Sequence, residues 1–273
     1  MAVYTPQDAM ASPAIGTHSG VTSSGIGERL ESQLKALHLP AVRACYADVA
    51  RQARQESLSY EQFLHDLLEQ ECQVRHDNRI QRRLHESRLP PGKTMESFDL
   101  TRLPLKVRQQ IKVLLDGSFI DRCENVLAFG TPGSGKTHLL CGLGQELVRQ
   151  ERRVLHTTCS LLVQELLVAK RDLKLAPLLK RLGRYDALFI DDLGYVQQSR
   201  EEMEVLFTLL ADRYERSSVM LTSNLPFSQW ESIFKDPMTT AAAIDRLVHH
   251  SIIVELNLPS YRMEKAKQEN REK

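Results

Sequence analysis

The feature that most constrains the fold of this chain is a glycine-rich loop between an apolar run and a helical pattern. Residues 125–129 read Asn-Val-Leu-Ala-Phe, and the loop that follows reads Gly130-Thr131-Pro132-Gly133-Ser134-Gly135-Lys136-Thr137. A buried strand, a G-x-x-x-x-G-K-T loop and a helix in that order form a phosphate-binding loop. The glycines let successive backbone N–H groups turn inward, and the helix N-terminus adds the positive end of its dipole. A chance glycine turn before a helix is the alternative, and the matching context on both sides argues against it.

Beyond Cys123, short apolar runs alternate with helical patterns, as in a parallel sheet with crossover helices. The predicted strands are 125–129, 154–157, 187–191, 219–223 and 251–256, and the predicted helices are 136–150, 160–171, 199–216 and 239–248. The predicted fold class is therefore α/β, a P-loop NTPase with a five-stranded parallel sheet and flanking helices.

The part of the chain before this sheet reads as a small all-α domain. Residues 1–26 are poor in large apolar groups, which predicts a flexible tail. Apolar residues recur at helical spacing over 26–38 and 41–55, and a capping-box pattern at Ser59 to Gln62 opens a longer helix. Its expected apolar side carries Phe63, Leu64, Leu67, Leu68, Val74 and Ile80. The predicted organisation is a tail (1–26), a helical domain that binds a partner or DNA (27–95), a linker (96–122), an ATPase domain (123–262) and a charged C-terminal tail (263–273).

Composition and charge exclude several kinds of protein. The formal net charge of +1 exerts no general attraction on nucleic acid, so any such site must be a local patch. The five cysteines show neither C-x-x-C pairs nor zinc-ligand spacing with histidines, so no disulfide framework or zinc site is predicted. No apolar run approaches the length that spans a bilayer, and no signal peptide is evident. We expect a cytoplasmic protein with no membrane partner.

Candidate catalytic residues follow from the chemistry of phosphate loops. The predicted nucleotide-binding residues are the loop and the next residue: Gly130, Thr131, Pro132, Gly133, Ser134, Gly135, Lys136, Thr137 and His138. Lys136 is expected to reach the β and γ phosphates of ATP, and Thr137 to ligate Mg²⁺. A second Mg²⁺ ligand is expected at the end of a neighbouring strand, where Asp191 is the candidate metal partner and Asp192 is placed to orient the attacking water.

The strand that follows ends in Leu221-Thr222-Ser223-Asn224. Asn224 could contact a water molecule or the γ phosphate, although Asn before Leu-Pro is also a good turn former. The Asp-rich end of the strand at 187–191 could likewise be an ordinary turn.

These motifs together resemble the IstB family of insertion-sequence helper ATPases, AAA+ proteins similar to the DnaC helicase loader. The resemblance rests on 130–137, Ile190 to Tyr195, Arg213 to Arg216, Leu221 to Asn224, Ala243 to Leu247 with His249-His250, Arg79 to Leu84, and Lys93 to Asp99. It covers about residues 28–264. It implies a sheet of order 5-1-4-3-2, ATP hydrolysis to ADP and phosphate, assembly into a homo-oligomer on duplex DNA, and a transposase partner.

The resemblance also implies that Arg246 is an arginine finger that reaches the ATP of the next subunit. From the residues alone, Arg246 could equally form a surface ion pair with Asp245 or Glu255. One departure concerns Asp192, where many AAA+ enzymes have Glu, and the shorter side chain leaves the hydrolysis rate open. No C-terminal helical lid is evident, so no sensor arginine from a lid is assigned.

Two locally basic stretches are candidate DNA-binding surfaces. The first contains Lys170, Arg171, Lys174, Lys180, Arg181 and Arg184 against the single acid Asp172. The second contains Arg75, Arg79, Arg82, Arg83, Arg88 and Lys93 against Asp77 and Glu86. Basic faces of this kind can neutralise several phosphates, giving salt-sensitive binding with little sequence preference. Solvated helix surfaces are the alternative, and for the second stretch a transposase contact is another.

The sequence thus favours a DNA-transposition ATPase and leaves other functions open. The same architecture could load a replicative helicase. A small-molecule P-loop kinase would leave Asn224 and Arg246 without roles, and a nucleotide-gated DNA-binding scaffold with little turnover fits the shorter Asp192.

Overall fold

The computed structural model describes residues 23–194, 199–226, 229–230, 245–261 and 263. Several sequence predictions lie outside these residues: most of the tails at 1–26 and 263–273, Tyr195, and the first part of the helix at 239–248. The chain divides into two compact units, of which the first ends at Asp77 and the second begins at Asn78. The division falls within a helix and not at the predicted boundary near residue 95.

The first unit is helical, as predicted. It contains α1 (Ser23–Ala36), α2 (Pro40–Gln55) and the first part of α3 (Tyr60–Glu86). Leu34, Val42 and Leu67, one from each helix, form a small core. Leu64, Leu68 and Val74 were expected on the apolar side of α3, but they are exposed. The core is narrow and takes one stripe of α3 only.

Glu71 of α3 caps α2. Its carboxylate accepts hydrogen bonds from the N–H groups of Ala41 and Val42, at 2.8 and 3.1 Å, and from Arg75 Nε at 2.8 Å. These N–H groups belong to the first turn of α2, where no intrahelical acceptor exists. Burial raises the pKa of Glu71, but the hydrogen bonds from Arg75, Val42 and Ala41 outweigh burial and hold the pKa below its ordinary value.

The second unit contains a five-stranded parallel sheet of order β2-β3-β4-β1-β5, which confirms the fold class and the implied strand order. The strands are β1 (Asn125–Gly130), β2 (Val154–Thr158), β3 (Ala187–Leu193), β4 (Ser218–Ser223) and β5 (Ser251–Leu256). All five agree with the prediction to within two residues at each end. The apolar side chains of the strands form two cores, one on each face of the sheet.

The segment 96–122 is not the linker that the sequence predicted. It contains a 3₁₀ turn (Leu100–Arg102), α4 (Leu105–Leu114) and α5 (Ser118–Asp121). Val107, Ile111 and Leu114 are buried in the same core as β1, as is Phe119. Their spacing of four and three residues places one face of α4 on the sheet.

The remaining helices cover the sheet. They are α6 (Lys136–Arg149), α7 (Cys159–Arg171), α8 (Leu175–Leu182) and α9 (Arg200–Arg213). The sequence missed α8, although Leu178 and Leu182 of this helix are buried. Of the helix predicted at 239–248, the described part is helical at residues 245–248.

Arg213, at the end of α9, is a buried structural side chain. Its guanidinium donates to the carbonyl oxygens of Leu182 and Tyr185, each at 3.0 Å, and to that of Ser218 at 2.9 Å. Burial lowers its pKa to about 10. The side chain ties the end of α8 to the start of β4.

We predict that Glu71→Gln destabilises the first unit, because a neutral amide accepts the N–H groups of α2 less strongly. At pH 7 the free energy of unfolding should fall by about 1–3 kcal/mol. The folded-state pKa of Glu71 is lowered, so its contribution is present above the ordinary value of 4.5 and is lost as the pH falls through the folded-state pKa. The difference between parent and variant should therefore shrink below about pH 4.5. Urea denaturation followed by circular dichroism measures the free energy of unfolding of each protein. Glu69→Gln, at an exposed position of the same helix, is the control. Equal losses in the two variants at pH 7 would contradict the capping role.

Candidate nucleotide-binding site

The glycine-rich loop lies between β1 and α6, and other backbone segments pack closely on it. Gly133 and Gly135 have φ angles of 82° and 99°, which side chains disfavour. A Cβ atom on Gly130 would lie 2.3 Å from the carbonyl oxygen of Leu256, and one on Gly133 would lie 2.2 Å from Ser260 Oγ. Glycine is required at 130 and 133 because the end of β5 and the chain after it pack on the loop, and at 133 also because of the loop conformation.

Lys136 and Ser134 place polar atoms along this loop. Lys136 is only 5% exposed, and its Nζ donates to the carbonyl oxygens of Gly130 and Thr131 at 2.9 Å each. Ser134 Oγ is buried and has no hydrogen-bond partner among the residues that the structure describes. A buried hydroxyl without a partner is costly unless a ligand or water completes it. The loop therefore suits a polar ligand such as a phosphate.

The carboxylate of Asp191 joins three elements at the carboxyl ends of the strands. Thr137 Oγ1, from the first turn of α6, donates to Asp191 Oδ1 at 2.9 Å. Thr222 Oγ1 of β4 donates to the same oxygen. Burial raises the pKa of Asp191, but the nearby imidazole of His156 and the hydrogen bonds from Thr222 and Thr137 outweigh burial and hold the pKa below its ordinary value. The site thus holds an ionised carboxylate beside the loop, which suits a divalent cation.

Asp192 follows at an irregularity in the sheet. The pairing of β3 with β4 shifts register between Ile190 and Leu193, and Asp192 has a φ of 60°. Its N–H donates to Thr222 Oγ1 at 2.8 Å, so one threonine holds two consecutive aspartates. The bulge turns the exposed Asp192 side chain into the same cleft that Asn224 lines.

A cleft of about 400 Å³ extends from the loop. Its walls comprise most of the predicted site and several residues that the sequence did not predict to lie beside the nucleotide. The predicted members are Pro132 to His138, Asp192 and Asn224, and the unpredicted ones are Lys93, Ser97, Phe98, Asp99, Arg102, Leu258 and Tyr261.

His138 anchors one of the unpredicted walls. Its Nε2 lies 3.1 Å from the carbonyl oxygen of Thr94 and 3.0 Å from Ser97 Oγ, and Phe98 contacts its ring edge to face. The Phe98 ring in turn lies against Gly135. The available sequence signal was an aromatic residue, Phe98, directly before Asp99 at the end of the Lys93 to Asp99 motif.

The opposite wall is the chain that follows β5. Thr131 Oγ1 donates to the carbonyl oxygen of Leu258 at 3.0 Å, and the N–H of Tyr261 donates to the carbonyl oxygen of Gly133 at 3.1 Å. The Arg102 guanidinium lies 5.1 Å from the centre of the Tyr261 ring, a cation–π distance. Two segments distant in sequence therefore meet beside the loop.

Sequence reasoning also missed His156, a polar residue in the otherwise apolar first half of β2. Its Nε2 is buried 3.9 Å from Asp191 Oδ2, and its Nδ1 lies 3.2 Å from the carbonyl oxygen of Arg88. The ring packs on Phe189 with 4.7 Å between centroids. His156 backs the carboxylate on the side away from Thr137 and Thr222.

The structure does not bring Arg246 into this cleft. Arg246 lies in the helical turn before β5, with its guanidinium 5.6 Å from the centre of the Phe207 ring. β5 begins at Ser251, opposite Asn125 at the start of β1, whereas the glycine-rich loop follows the end of β1. Arg246 therefore lies at the amino edge of the sheet and the phosphate loop at the carboxyl edge.

The first basic stretch lies on α7, α8 and the turn between them, and part of its charge is neutralised. Lys170 forms an ion pair with Glu204 at 3.0 Å, and Arg181 forms one with Glu165. Arg171, Lys174 and Lys180 are exposed. The last three are the stronger candidates for an external anionic partner.

The fold and the site together define a P-loop nucleotide-binding protein of the AAA+ type. A family model described as IstB-like ATP binding protein matches residues 32–269. An insertion sequence ATP-binding protein of Sinorhizobium fredii is 42% identical over 244 residues, which are 89% of this chain and 82% of the relative. The ATP-binding protein of insertion sequence IS21 from Pseudomonas aeruginosa is 38% identical over 236 residues, 86% of this chain and 88% of the relative. The chain belongs to the IstB-like ATP-binding proteins.

Solved structures agree on the fold. The DnaC helicase loader superposes with a TM-score of 0.53 at 16% identity, over 60% of this chain and 97% of that chain. AMPPCP-bound DnaA from Aquifex aeolicus superposes with a TM-score of 0.52 at 20% identity, over 68% of this chain and 57% of that one. This chain thus spans little more than half of the DnaA chain. Among the residues that the structure describes, no helix is long and apolar enough to cross a membrane.

We predict that Thr222→Val weakens nucleotide binding specifically when Mg²⁺ is present, because Asp191 and the N–H of Asp192 lose their shared hydroxyl. The affinity for ATP in Mg²⁺ should fall about 3- to 10-fold, which corresponds to a loss of about 1 kcal/mol in binding free energy. The affinity in EDTA should change little. Isothermal titration with a non-hydrolysable ATP analogue measures both.

The matched control for this prediction is Thr208→Val, which removes an exposed hydroxyl that donates to the carbonyl oxygen of Glu204 in its own helix. An equal loss of affinity in Mg²⁺ and in EDTA would show that Thr222 shapes the loop and not the carboxylate.

Proposed function

We propose that this protein hydrolyses ATP within a homo-oligomer assembled on duplex DNA, and that it recruits or activates the transposase of its insertion sequence. The observation that carries the proposal is the separation of the two halves of the site. The phosphate loop and Asp191 lie at one edge of the sheet, and Arg246 lies at the other. Arg246 can therefore reach the phosphates only from a second subunit.

Within one subunit, the loop N–H groups and Lys136 bind the phosphates of ATP. Lys136 exchanges its carbonyl partners, Gly130 and Thr131, for phosphate oxygens, which it meets as a point charge. Thr137 and Asp191 would hold Mg²⁺, which when bound neutralises charge on the phosphate oxygens. The ionised state of Asp191 and the unpartnered Ser134 hydroxyl fit such a ligand pair.

Asp192 and Asn224 serve the attacking water. Both line the cleft on the side of the strand ends, and the backbone N–H of Asp192 is held by Thr222. Asp192 accepts a proton of the water, and the Asn224 amide orients it. The carboxylate is one methylene shorter than a glutamate, so its reach depends on the bulge that turns it outward.

The nucleoside half of ATP occupies the part of the cleft between Phe98 and Tyr261. Phe98 presents an aromatic ring beside the loop. On the opposite wall, the Tyr261 ring lies at cation–π distance from the Arg102 guanidinium. Aromatic and guanidinium planes suit a purine base.

DNA binding is assigned to the exposed basic residues of the α7–α8 region, and transposase contact to the helical first unit. A helicase-loading function shares the same motor, and the similarity to DnaC concerns the fold alone. The relatives named as insertion sequence proteins favour transposition.

We predict that Arg246→Ala and Asp191→Ala complement one another. Each variant alone should hydrolyse ATP at least about 10³-fold more slowly, the scale of an arginine finger in GTPases. A mixture on DNA should recover partial activity, since some interfaces combine an intact Asp191 with an intact Arg246. Steady-state phosphate release measures the activity of the mixture. The control is Lys136→Ala mixed with Asp191→Ala, which should stay inactive because both changes lie in the same half of the site.

If the first mixture also stays inactive while affinity tags prove mixed assembly, Arg246 does not act between subunits. Its contact with Phe207 would then be structural.

We predict that Arg171, Lys174 and Lys180, replaced together by Ala, weaken DNA binding equally for all sequences. The slope of log affinity against log salt concentration should become shallower by about 2–3. Each phosphate contact contributes about 0.9 to this slope through counterion release, and three contacts are removed. The control replaces Lys106, Arg108 and Lys112, exposed residues of α4, with the same loss of charge. Equal slopes in the two triple variants would mean that only net charge matters and that this patch is a solvated surface.

A further inference from the structure

Two adjacent histidines and a glutamate meet at the amino edge of the sheet, away from the nucleotide cleft. Glu215 follows α9, and His249 and His250 precede β5. A ring nitrogen of each histidine and a carboxylate oxygen of Glu215 lie within 4.8 Å of one another. In the part of the chain that the structure describes, no other group of three such side chains comes this close. The function proposed above gives the His249-His250 motif no role.

The backbone on both sides of the cluster is held in place. Glu215 has a left-handed φ of 56°, in a turn whose flanks are fixed by the three hydrogen bonds of Arg213. On the other side, the N–H of Asn125 donates to the carbonyl oxygen of His250 at 2.7 Å, and Asn125 Nδ2 donates to that of Leu247 at 3.1 Å. The three side chains are therefore presented by two fixed segments.

The side chains are already oriented toward one another. His250 Nε2 lies 3.6 Å from Glu215 Oε1. The two imidazoles stand edge to face with 4.2 Å between centroids, and the Tyr214 hydroxyl lies 3.0 Å from His249 Nδ1. A hydrogen bond to one ring nitrogen orients an imidazole in the manner of the outer-shell groups of metal sites.

We propose that Glu215, His249 and His250 bind a divalent transition-metal ion of the zinc class. Two imidazoles and one carboxylate suit Zn²⁺ with an open fourth position. Mg²⁺ prefers oxygen ligands and is therefore a poor match for a site with two imidazoles. Ligands of a tetrahedral zinc ion lie about 3.3 Å apart, given metal–ligand bonds of about 2.0 Å. The three ligand atoms lie at most 4.8 Å apart, so they would have to approach one another by no more than about 1.5 Å to hold the ion. The competing arrangement is a metal-free surface ion pair between His250 and Glu215.

The metal would clamp the segment that carries Arg246 to the turn after α9. Arg246, Tyr214, Glu215 and His250 line one small cavity, so the finger and the metal site share a surface. This consequence rests on the proposed role of Arg246 between subunits, whereas metal binding itself does not.

The test measures metal binding without nucleotide. The full chain is stripped with a chelator and titrated with Zn²⁺ against a chromophoric chelator, in excess Mg²⁺ to occupy the phosphate-loop site. All proteins carry Cys72→Ser, because Cys72 is an exposed thiol that could bind zinc itself. We expect one equivalent of Zn²⁺ to bind, and His249→Asn with His250→Asn to abolish it. Exposed His85→Asn should bind as the parent does.

Two further variants separate a metal site from a merely structural cluster. Tyr214→Phe keeps all three ligands and should weaken zinc affinity about 10- to 100-fold by loss of the outer-shell hydrogen bond. Glu215→Gln should weaken it as well. Zinc should raise the melting temperature of the parent and of His85→Asn but not that of the double histidine variant. Zinc affinity that is equal in the parent and the double variant, or absent from the folded parent, overturns the proposal.

Discussion

The hydrogen bonds that converge on Asp191 are the junction on which the rest of the site depends. One carboxylate oxygen receives hydroxyl groups from α6 and β4, and the imidazole of His156 on β2 faces the other oxygen. The glycine-rich loop, three strands and the first turn of α6 are thereby held to a common point. A buried carboxylate is stable only when hydrogen bonds or cations offset its desolvation, so these groups must stay together. The phosphate site is built around that requirement.

A parallel sheet separates this junction from everything at its amino edge. All strands run in one direction, so the residues that follow the strands and those that precede them lie at opposite edges. The loop and Asn224 follow strands and Asp192 lies at the end of β3, whereas Arg246, His249 and His250 precede β5. A chain with this topology cannot complete its own phosphate site with Arg246. The turn that carries Arg246 and the histidines is held by hydrogen bonds from Asn125, and the turn after α9 is flanked by those of Arg213.

Local pattern predicted the elements whose apolar residues form continuous runs. The strands were predicted within two residues because buried parallel strands read as unbroken Val, Ile and Leu segments flanked by turn residues. α4 was missed because its apolar residues alternate with Lys106, Arg108 and Lys112, which made residues 96–122 resemble a linker. α8 was missed because the segment around Leu178 and Leu182 is rich in basic residues and was interpreted as a DNA-binding stretch. The opposite error concerns Leu64 and Leu68, which were predicted to be buried but are exposed. Helical periodicity shows which face of a helix is apolar but not how much of that face the core covers.

The sequence by itself determined the phosphate loop, the α/β class and the two carboxylates at the end of β3, because each is encoded by neighbouring residues. The glycine spacing of the loop, which includes Gly130 and Gly133, is visible in the sequence itself. Only the tertiary structure decided which distant groups complete the site. Thr222 and His156 bond or face Asp191 only after β2, β3 and β4 are aligned side by side, and Phe98 and Tyr261 meet the loop from two ends of the second unit. Such contacts depend on strand order and register, which arise from burial of both sheet faces and are not written in any one segment of the chain.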